Sequence, residues 1–174
     1  MLRYLKGTKG WRLVLGGEPA EVVGFTDADW GSDHDDRRSV GAYLFKISGG
    51  AVSWKTKKQG CVALSSTEAE YMALCQSAKE SVWLEEFVKG LGISVSGSMV
   101  IKVDNQGSIA LAKNSVFHDR SKHIDIQHHY TRDLVRAGRI EIKYIPTKDM
   151  LADVLTKALP HAQHEYLTKA VGLF

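Results

Sequence analysis

Four carboxylates in the chain sit where an acid is costly unless it has work to do. Asp27 closes the apolar run 21–27 (EVVGFTD), and Asp104 follows directly on another, Met99–Val103 (MVIKV). In an open α/β sheet, ligands gather beyond the carboxyl ends of parallel strands, so two such strands side by side would bring both aspartates to one spot. Either aspartate alone reads equally well as a turn former or a helix cap. Asp153, flanked by Ala152 and Val154 in the first turn of a helix, could by itself be a helix-dipole partner. Brought together, such acids repel one another and favour a hard cation, for which magnesium with oxygen ligands is the natural choice. Two ions about 4 Å apart can activate a water and stabilise the leaving oxygen of a phosphodiester. The chemistry these residues point to is metal-assisted phosphodiester hydrolysis.

The fourth acid has to be chosen between Glu68 and Glu70, both at the start of a long helical pattern. Ser65-x-x-Glu68 fits a capping box, in which Glu68 reaches back to the Ser65 N–H. Glu70 is two residues further, about 200° around the axis. It lies beside Tyr71 and one turn before Leu74, on the margin of the apolar stripe. A carboxylate held there faces the sheet and is costly to desolvate unless a cation meets it. Glu68 is assigned to capping and Glu70 to the site.

The elements that must position these acids follow from periodicity and punctuation. After a helix-like start and a short strand ending near Gly16-Gly17 and Pro19, the run 21–27 reads as a strand. Ser39–Ile47 and Ala51–Lys55 read as two more, joined by a Gly49-Gly50 hairpin turn. A helix is expected from about Thr67 to Gly90, then a strand at Met99–Val103, a helix over Gln106–Lys113 and another ending near Gly138. Ile140–Ile145 gives a fifth strand, stopped by Pro146, and a last core helix is expected from about Asp149 to Leu159. Three meander-like strands followed by alternating helices and strands imply a mixed sheet covered by helices.

Composition sets outer bounds. The 174 residues suit one domain; 44% hydrophobic and 25% charged residues fit a globular chain. No apolar run approaches the roughly 20 residues of a membrane span, so no membrane partner is expected. Cys61 and Cys75 form no disulfide framework or metal-ligand pair and read as reduced core residues. His118, His123, His128 and His129 lack a zinc-ligand arrangement. The net charge, 23 − 20 = +3, permits nucleic-acid binding without requiring it. Trp30, Trp54 and Trp83 read as core or sheet-face residues.

Five blocks in order, FTDADW (25–30), SWKTKKQGCVALSSTEAEYMAL (53–74), VDNQGSIAL (103–111), HDRSKHIDIQHH (118–129) and YIPTKDMLADVLTK (144–157), resemble the ribonuclease H of Copia-type long-terminal-repeat retrotransposons. The resemblance implies an α/β ribonuclease H-like fold: a five-stranded mixed sheet, strands one to three antiparallel, with helices on both faces. It implies endonucleolytic cutting of the RNA strand of RNA–DNA hybrids with two Mg2+ ions, for which Mn2+ substitutes. The family's four acids fall on Asp27, Glu70, Asp104 and Asp153. In its two-metal scheme Asp27 bridges both ions, Glu70 and Asp104 hold the ion near the leaving group, and Asp153 holds the ion that activates water. Residues 1–20 resemble the connector from an upstream reverse transcriptase in the same polyprotein, 21–160 the ribonuclease H domain, and 161–174 a polyprotein tail. A cytoplasmic virus-like particle is the implied location. The chain departs from cellular ribonucleases H at the loop TKDMLA (147–152), which holds no histidine where those enzymes carry a flexible one.

Around such a site, cations and helix N-termini become candidate nucleic-acid contacts. Arg37 and Arg38 follow an acidic loop, and Lys55, Lys57 and Lys58 follow the expected strand end at Trp54. Ser65, Ser66 and Thr67 open the long helix, where free N–H groups favour an anion. Asn105 and Gln106 follow Asp104, and Arg120, Lys122 and His123 form a basic stretch. A non-catalytic hybrid-binding scaffold and another two-metal nuclease on the same fold are the competing readings. The presence of all four acids and the TEAEYMAL helix favour ribonuclease H.

Overall fold

The computed structural model describes residues 2–16, 21–93, 97–113 and 125–174, the side chains of 125–128 excepted. Its centre is one five-stranded sheet in the order β3-β2-β1-β4-β5, built from β1 (Val22–Asp29), β2 (Val40–Ile47), β3 (Gly50–Lys58), β4 (Met99–Val103) and β5 (Ile140–Tyr144). β1 pairs antiparallel with β2 and β2 with β3, while β1–β4 and β4–β5 are parallel. The described residues also form the helices α1 (Leu2–Thr8), α2 (Ser66–Gly90), α3 (Gln106–Lys113), α4 (Asp125–Arg136), α5 (Asp153–Thr156) and α6 (His161–Ala170), of which α1 buries no residue.

The two faces of the sheet are buried by different partners, because side chains alternate along each strand. On one face Tyr43, Phe45, Ile101 and Ile142 pack with Tyr71 and Leu74 of α2 and Leu134 of α4. On the other, Phe25 and Leu44 pack with Met150, Leu151, Leu167 and Val171. β1 is covered on both sides, so it reads as a nearly unbroken buried run rather than an alternating one.

The structure revises several expected boundaries. The hairpin turn is Ser48-Gly49, both at positive φ (48° and 85°), with Ile47 opposite Gly50. Two left-handed residues make the tight turn whose twist matches the strands. β3 continues past the expected Lys55 to Lys58, so Lys57 and Lys58 also lie on the strand and not beyond it. It is an edge strand, where lysines block further pairing; a polar, exposed sequence can therefore still be a strand. Trp30, Trp54 and Trp83 are each more than half exposed, so none belongs to the core. Trp30 donates its indole N–H to the Ala63 carbonyl (3.0 Å), and Trp83 stacks on Phe87 (centroids 5.2 Å apart).

The helix expected from about Asp149 to Leu159 is replaced by a 3-10 turn (Thr147–Asp149) and the single turn α5. Between them Met150 is extended, and Met150, Leu151 and Ala152 are all buried. Burying three consecutive side chains against the sheet outweighs the helical propensity of the segment.

Both ends of the chain pack onto the sheet's second face. A short strap through Leu13 is bonded to the last residues: Arg12 and Phe174 exchange N–H···O bonds (2.6 and 2.9 Å), and the Val14 N–H donates to the Gly172 carbonyl (2.8 Å). The Ala51 N–H donates to the Val171 carbonyl (3.0 Å). Gly172 has φ +100°, and a Cβ there would stand 2.9 Å from the Gly50 Cα, so neither a side chain nor ordinary backbone fits. Residues 161–174, expected as a tail, thus supply α6, whose Leu167 is fully buried.

Leu167→Ala should cost about 2–5 kcal/mol, the range for emptying a buried leucine site. Urea denaturation of the chain checks this; a loss near zero would show that α6 does not contribute to the core.

Candidate active site

The site is set by strand register. β1 and β4 are parallel with Phe25 opposite Lys102, so two residues further on Asp27 and Asp104 stand beside each other. β1 runs past Asp27 to Asp29, which places Asp27 inside the strand rather than at its end; its side chain is fully buried. Asp104 is the first residue after β4 and is half-buried. α2 crosses the sheet and brings Glu70, 7% exposed, to the same spot.

One carboxylate oxygen from each of Asp27, Glu70 and Asp104 lies within 4.8 Å of the other two. Glu70 accepts a hydrogen bond from the Ala28 N–H, but its Oε2 is buried without any hydrogen-bond partner. Burial, followed by the neighbouring charges of Asp27 and Asp104, pushes the Glu70 carboxyl up to about 9. A buried carboxyl with one unpartnered oxygen, clustered with two other acids, is an arrangement that a divalent cation would stabilise. No other set of three metal-binding side chains is this close among the described residues.

Asp153, on α5, is buried but joins this cluster through a cation. Lys157 Nζ lies 2.8 Å from Asp153 Oδ1 and 3.0 Å from Asp27 Oδ1. The Thr156 hydroxyl donates to the other Asp27 oxygen, Oδ2. Burial raises the Asp153 carboxyl to about 6, against the lowering effect of the Lys157 bond. Burial opposes the charge on Lys157, yet its bonds to Asp153 and Asp27 hold its pKa above the usual lysine value. Lys157 and Thr156 are site residues the sequence analysis missed. The signal was available: Lys157 is four residues after Asp153, the spacing of a helical ion pair.

The glutamate assignment can be read directly. Ser65 Oγ accepts from the Glu68 N–H (3.2 Å), as a capping box requires. The Glu68 side chain accepts from the Leu64 N–H (2.9 Å), one residue before the expected donor. Glu68 serves the helix start and Glu70 the cluster.

The expected nucleic-acid contacts divide by the partners they already have. Lys58 bonds Asp33 and Asp36, and Arg38 pairs with Asp36 (3.5 Å), so these two cations neutralise their own acidic loop. Arg37 (exposed, φ 57°), Lys55 and Lys57 make no ion pair among the described residues. Lys55 and Lys57 line a cavity of about 120 Å³ with Tyr43, Gln59, Met72 and Gln76, between β2–β3 and α2. Asn105 caps α3, its Oδ1 accepting from the Ser108 N–H (2.9 Å). A Cβ on Gly107 would lie 2.9 Å from Thr67 Oγ1, so the first turns of α2 and α3 touch beside Glu70 and Asp104. Ser65, Ser66 and Gln106 are exposed on those turns. Arg120, Lys122 and His123 lie outside the described residues.

No family model matches the chain. Over 173 residues it is 44% identical to the retrovirus-related Pol polyprotein from transposon TNT 1-94 of Nicotiana tabacum, covering 99% of this chain and 13% of that protein. The chain therefore spans about an eighth of that relative's length. Among solved structures it is similar to the N-terminal RNase H domain of a Mycobacterium tuberculosis protein (TM-score 0.58, 13% identity, 87% of this chain and 98% of that one). It is also similar to LC11-RNase H1, isolated from compost, in complex with an RNA/DNA hybrid (TM-score 0.57, 12% identity, 78% of this chain and 94% of that one). The fold is that of ribonuclease H, the five-stranded mixed sheet with helices on both faces that the sequence blocks imply.

The Glu70 carboxyl titrates at about 9 in the fold against 4.5 unfolded, so the fold holds this proton more tightly. That contribution is complete below the unfolded value and is lost as pH rises through about 9. In chelator, wild-type stability should fall from about pH 5 to about pH 8, and Glu70→Gln, which carries no charge, should exceed wild type at the higher pH by about 1 kcal/mol or more. Urea denaturation at both pH values reads the difference; a wild type and variant with parallel pH profiles would contradict it.

Proposed function

We propose that this chain is the ribonuclease H domain of a Copia-type retrotransposon Pol polyprotein, and that it hydrolyses the RNA strand of RNA–DNA hybrids. One observation carries the reading: Glu70 Oε2 is buried and unpartnered beside Asp27 and Asp104, which is costly in a protein that never binds a cation. The similarity to a Pol polyprotein over 99% of the chain supports that setting; the reading extends it to a reverse transcriptase domain upstream and a cytoplasmic virus-like particle as the location.

The residues fit the group the chemistry needs. Three carboxylates with oxygens within 4.8 Å are hard donors suited to Mg2+, and Mn2+ accepts the same ligands. Asp27, Glu70 and Asp104 would hold one ion, and Asp27 with Asp153 a second. When bound, the pair supplies an activated water on one side of the phosphodiester and charge neutralisation at the leaving oxygen on the other. The chain's own part is positional. β1 and β4 fix two aspartates side by side, α2 adds a glutamate, and the cores on both faces keep water from the Asp27 side chain. The exposed first turns of α2 and α3 offer Ser66, Thr67 and Gln106 to one part of the backbone, and Arg37, Lys55 and Lys57 offer charge to another.

With labelled substrates in magnesium, the chain should cut the RNA of a hybrid and leave duplex DNA and duplex RNA intact, with loss of all cleavage in chelator. Glu70→Gln should lower cleavage by about two orders of magnitude or more, as expected for a charged metal ligand, while Glu68→Gln, still able to accept from the helix-start N–H groups, stays near wild type. An inactive Glu68→Gln beside an active Glu70→Gln would reassign the site.

Hybrid affinity should fall steeply with salt. Lys55→Ala and Lys57→Ala should each reduce the slope of log K against log salt by about 0.7–0.9, one phosphate's worth of counterion. Lys58→Ala should leave the slope nearly unchanged, because Lys58 is already spent on Asp33 and Asp36. Equal slopes for all three variants would show that the ion pairs do not decide which lysines meet phosphate.

A further inference from the structure

The four acids are not equivalent in this structure, and the difference lies in Lys157. Its ammonium sits 3.0 Å from Asp27 Oδ1 and 2.8 Å from Asp153 Oδ1, joining two carboxylates that are almost completely buried. Thr156, the residue before it, donates its hydroxyl to Asp27 Oδ2, so both oxygens of Asp27 are engaged by consecutive residues of one turn. Glu70, in the same cluster as Asp27, keeps its Oε2 buried without a hydrogen-bond partner. Among the described residues, Lys157 bonds the Asp27–Asp153 half of the site and reaches Glu70 only through its charge.

The local backbone explains how the ammonium gets there. α5 is a single turn, and Lys157 follows it in an extended conformation (φ −123°, ψ 146°), its N–H still bonded to the Asp153 carbonyl (2.9 Å). The side chain turns back along the helix to the carboxylate four residues earlier. Lysine is a compact point charge on a flexible four-carbon stem, and this one keeps 33% of its side chain exposed. Its stem reaches the surface, so another cation at Asp27 and Asp153 would leave it free to turn to solvent or to a phosphate.

Resting on the ribonuclease reading, we propose that Lys157 is a tethered cation that holds the Asp27–Asp153 half of the site until a divalent ion displaces it. The chain without nucleic acid then binds one ion tightly, at Asp27, Glu70 and Asp104, and a second only weakly. Two positive species compete for the same two oxygens, and like charges a few ångströms apart exclude each other even where the effective dielectric is well above that of a dry interior. A hybrid lowers this barrier by offering the ammonium a phosphate in exchange. Lys157 is in this sense a positioning residue that couples arrival of the second ion to arrival of substrate. The alternative is a brace that only ties α5 to β1.

Counting sites separates the two. Mn2+ is titrated into the chain without nucleic acid, and the free ion is read by its electron paramagnetic resonance signal. Wild type should bind one ion tightly. Lys157→Met should bind two, the second at least about tenfold tighter than in wild type, since a competing charge has been removed. Lys157→Arg, which keeps the charge, should count as wild type, and circular dichroism confirms the fold of each. Should Lys157→Met fail to fold with two acids left unneutralised, Lys157→Gln gives the same count with a polar side chain. Two equal sites in wild type, or a single site in both neutral variants, would overturn the proposal and leave Lys157 as a brace. Mn2+ binding that is absent, or unaffected by Glu70→Gln, would instead overturn the ribonuclease reading on which it rests.

Discussion

The parallel register of β1 and β4 forces two aspartates together, and much of the molecule is arranged around that contact. Strand pairing leaves no freedom here: with Phe25 opposite Lys102, Asp27 and Asp104 are adjacent whatever their charges prefer. Like charges at such a distance destabilise the fold unless something offsets them. The chain offsets them unequally. Lys157 meets Asp27 and Asp153, whereas Glu70 is added to the cluster and driven toward its neutral form. Glu70 adds a third acid to the pair at a nearly buried position, so the glutamate is a cost the scaffold tolerates.

It can tolerate this cost because β1 is clamped from both faces. Tyr71 and Leu74 of α2 press on one side, one turn or less from Glu70, and their burial anchors the helix that carries the glutamate. On the other side Met150, Leu151 and Ala152 are buried immediately before Asp153, so the acid is held by the core residues that precede it. The strap through Leu13 and the last residues of the chain close that second face over Gly50 and Gly172. Leu167 and Val171, near the carboxyl end, thereby support the same layer that holds Asp153.

The parts of this arrangement legible in the sequence were those with local signals. Asp104 follows a clean apolar strand, and Ser65 and Glu68 carry the marks of a helix start, which by elimination left Glu70 for the site. The five strands and their meander-then-alternation order were legible for the same reason. What misled was context. β3 extends through lysines because an edge strand needs no apolar alternation, and its exposed side chains gave no period to detect. The helix expected from about Asp149 to Leu159 shrinks to one turn because burial of three successive residues overrides propensity, a tertiary effect that no window of sequence contains.

The residue that was missed shows the same limit more sharply. Lys157 carries the spacing of an ion pair with Asp153, yet surface pairs of that spacing are common and contribute little. Its significance comes from a third group, Asp27, 130 residues away in sequence and fully buried. Burial changes the weight of the interaction: around carboxylates removed from water, removing one partner leaves an uncompensated charge. On the proposed two-ion reading, the ammonium that neutralises these carboxylates is also the group a second ion would displace. Stability of the fold and affinity for that ion would then draw on the same pair of oxygens, Asp27 Oδ1 and Asp153 Oδ1, so strengthening one would weaken the other.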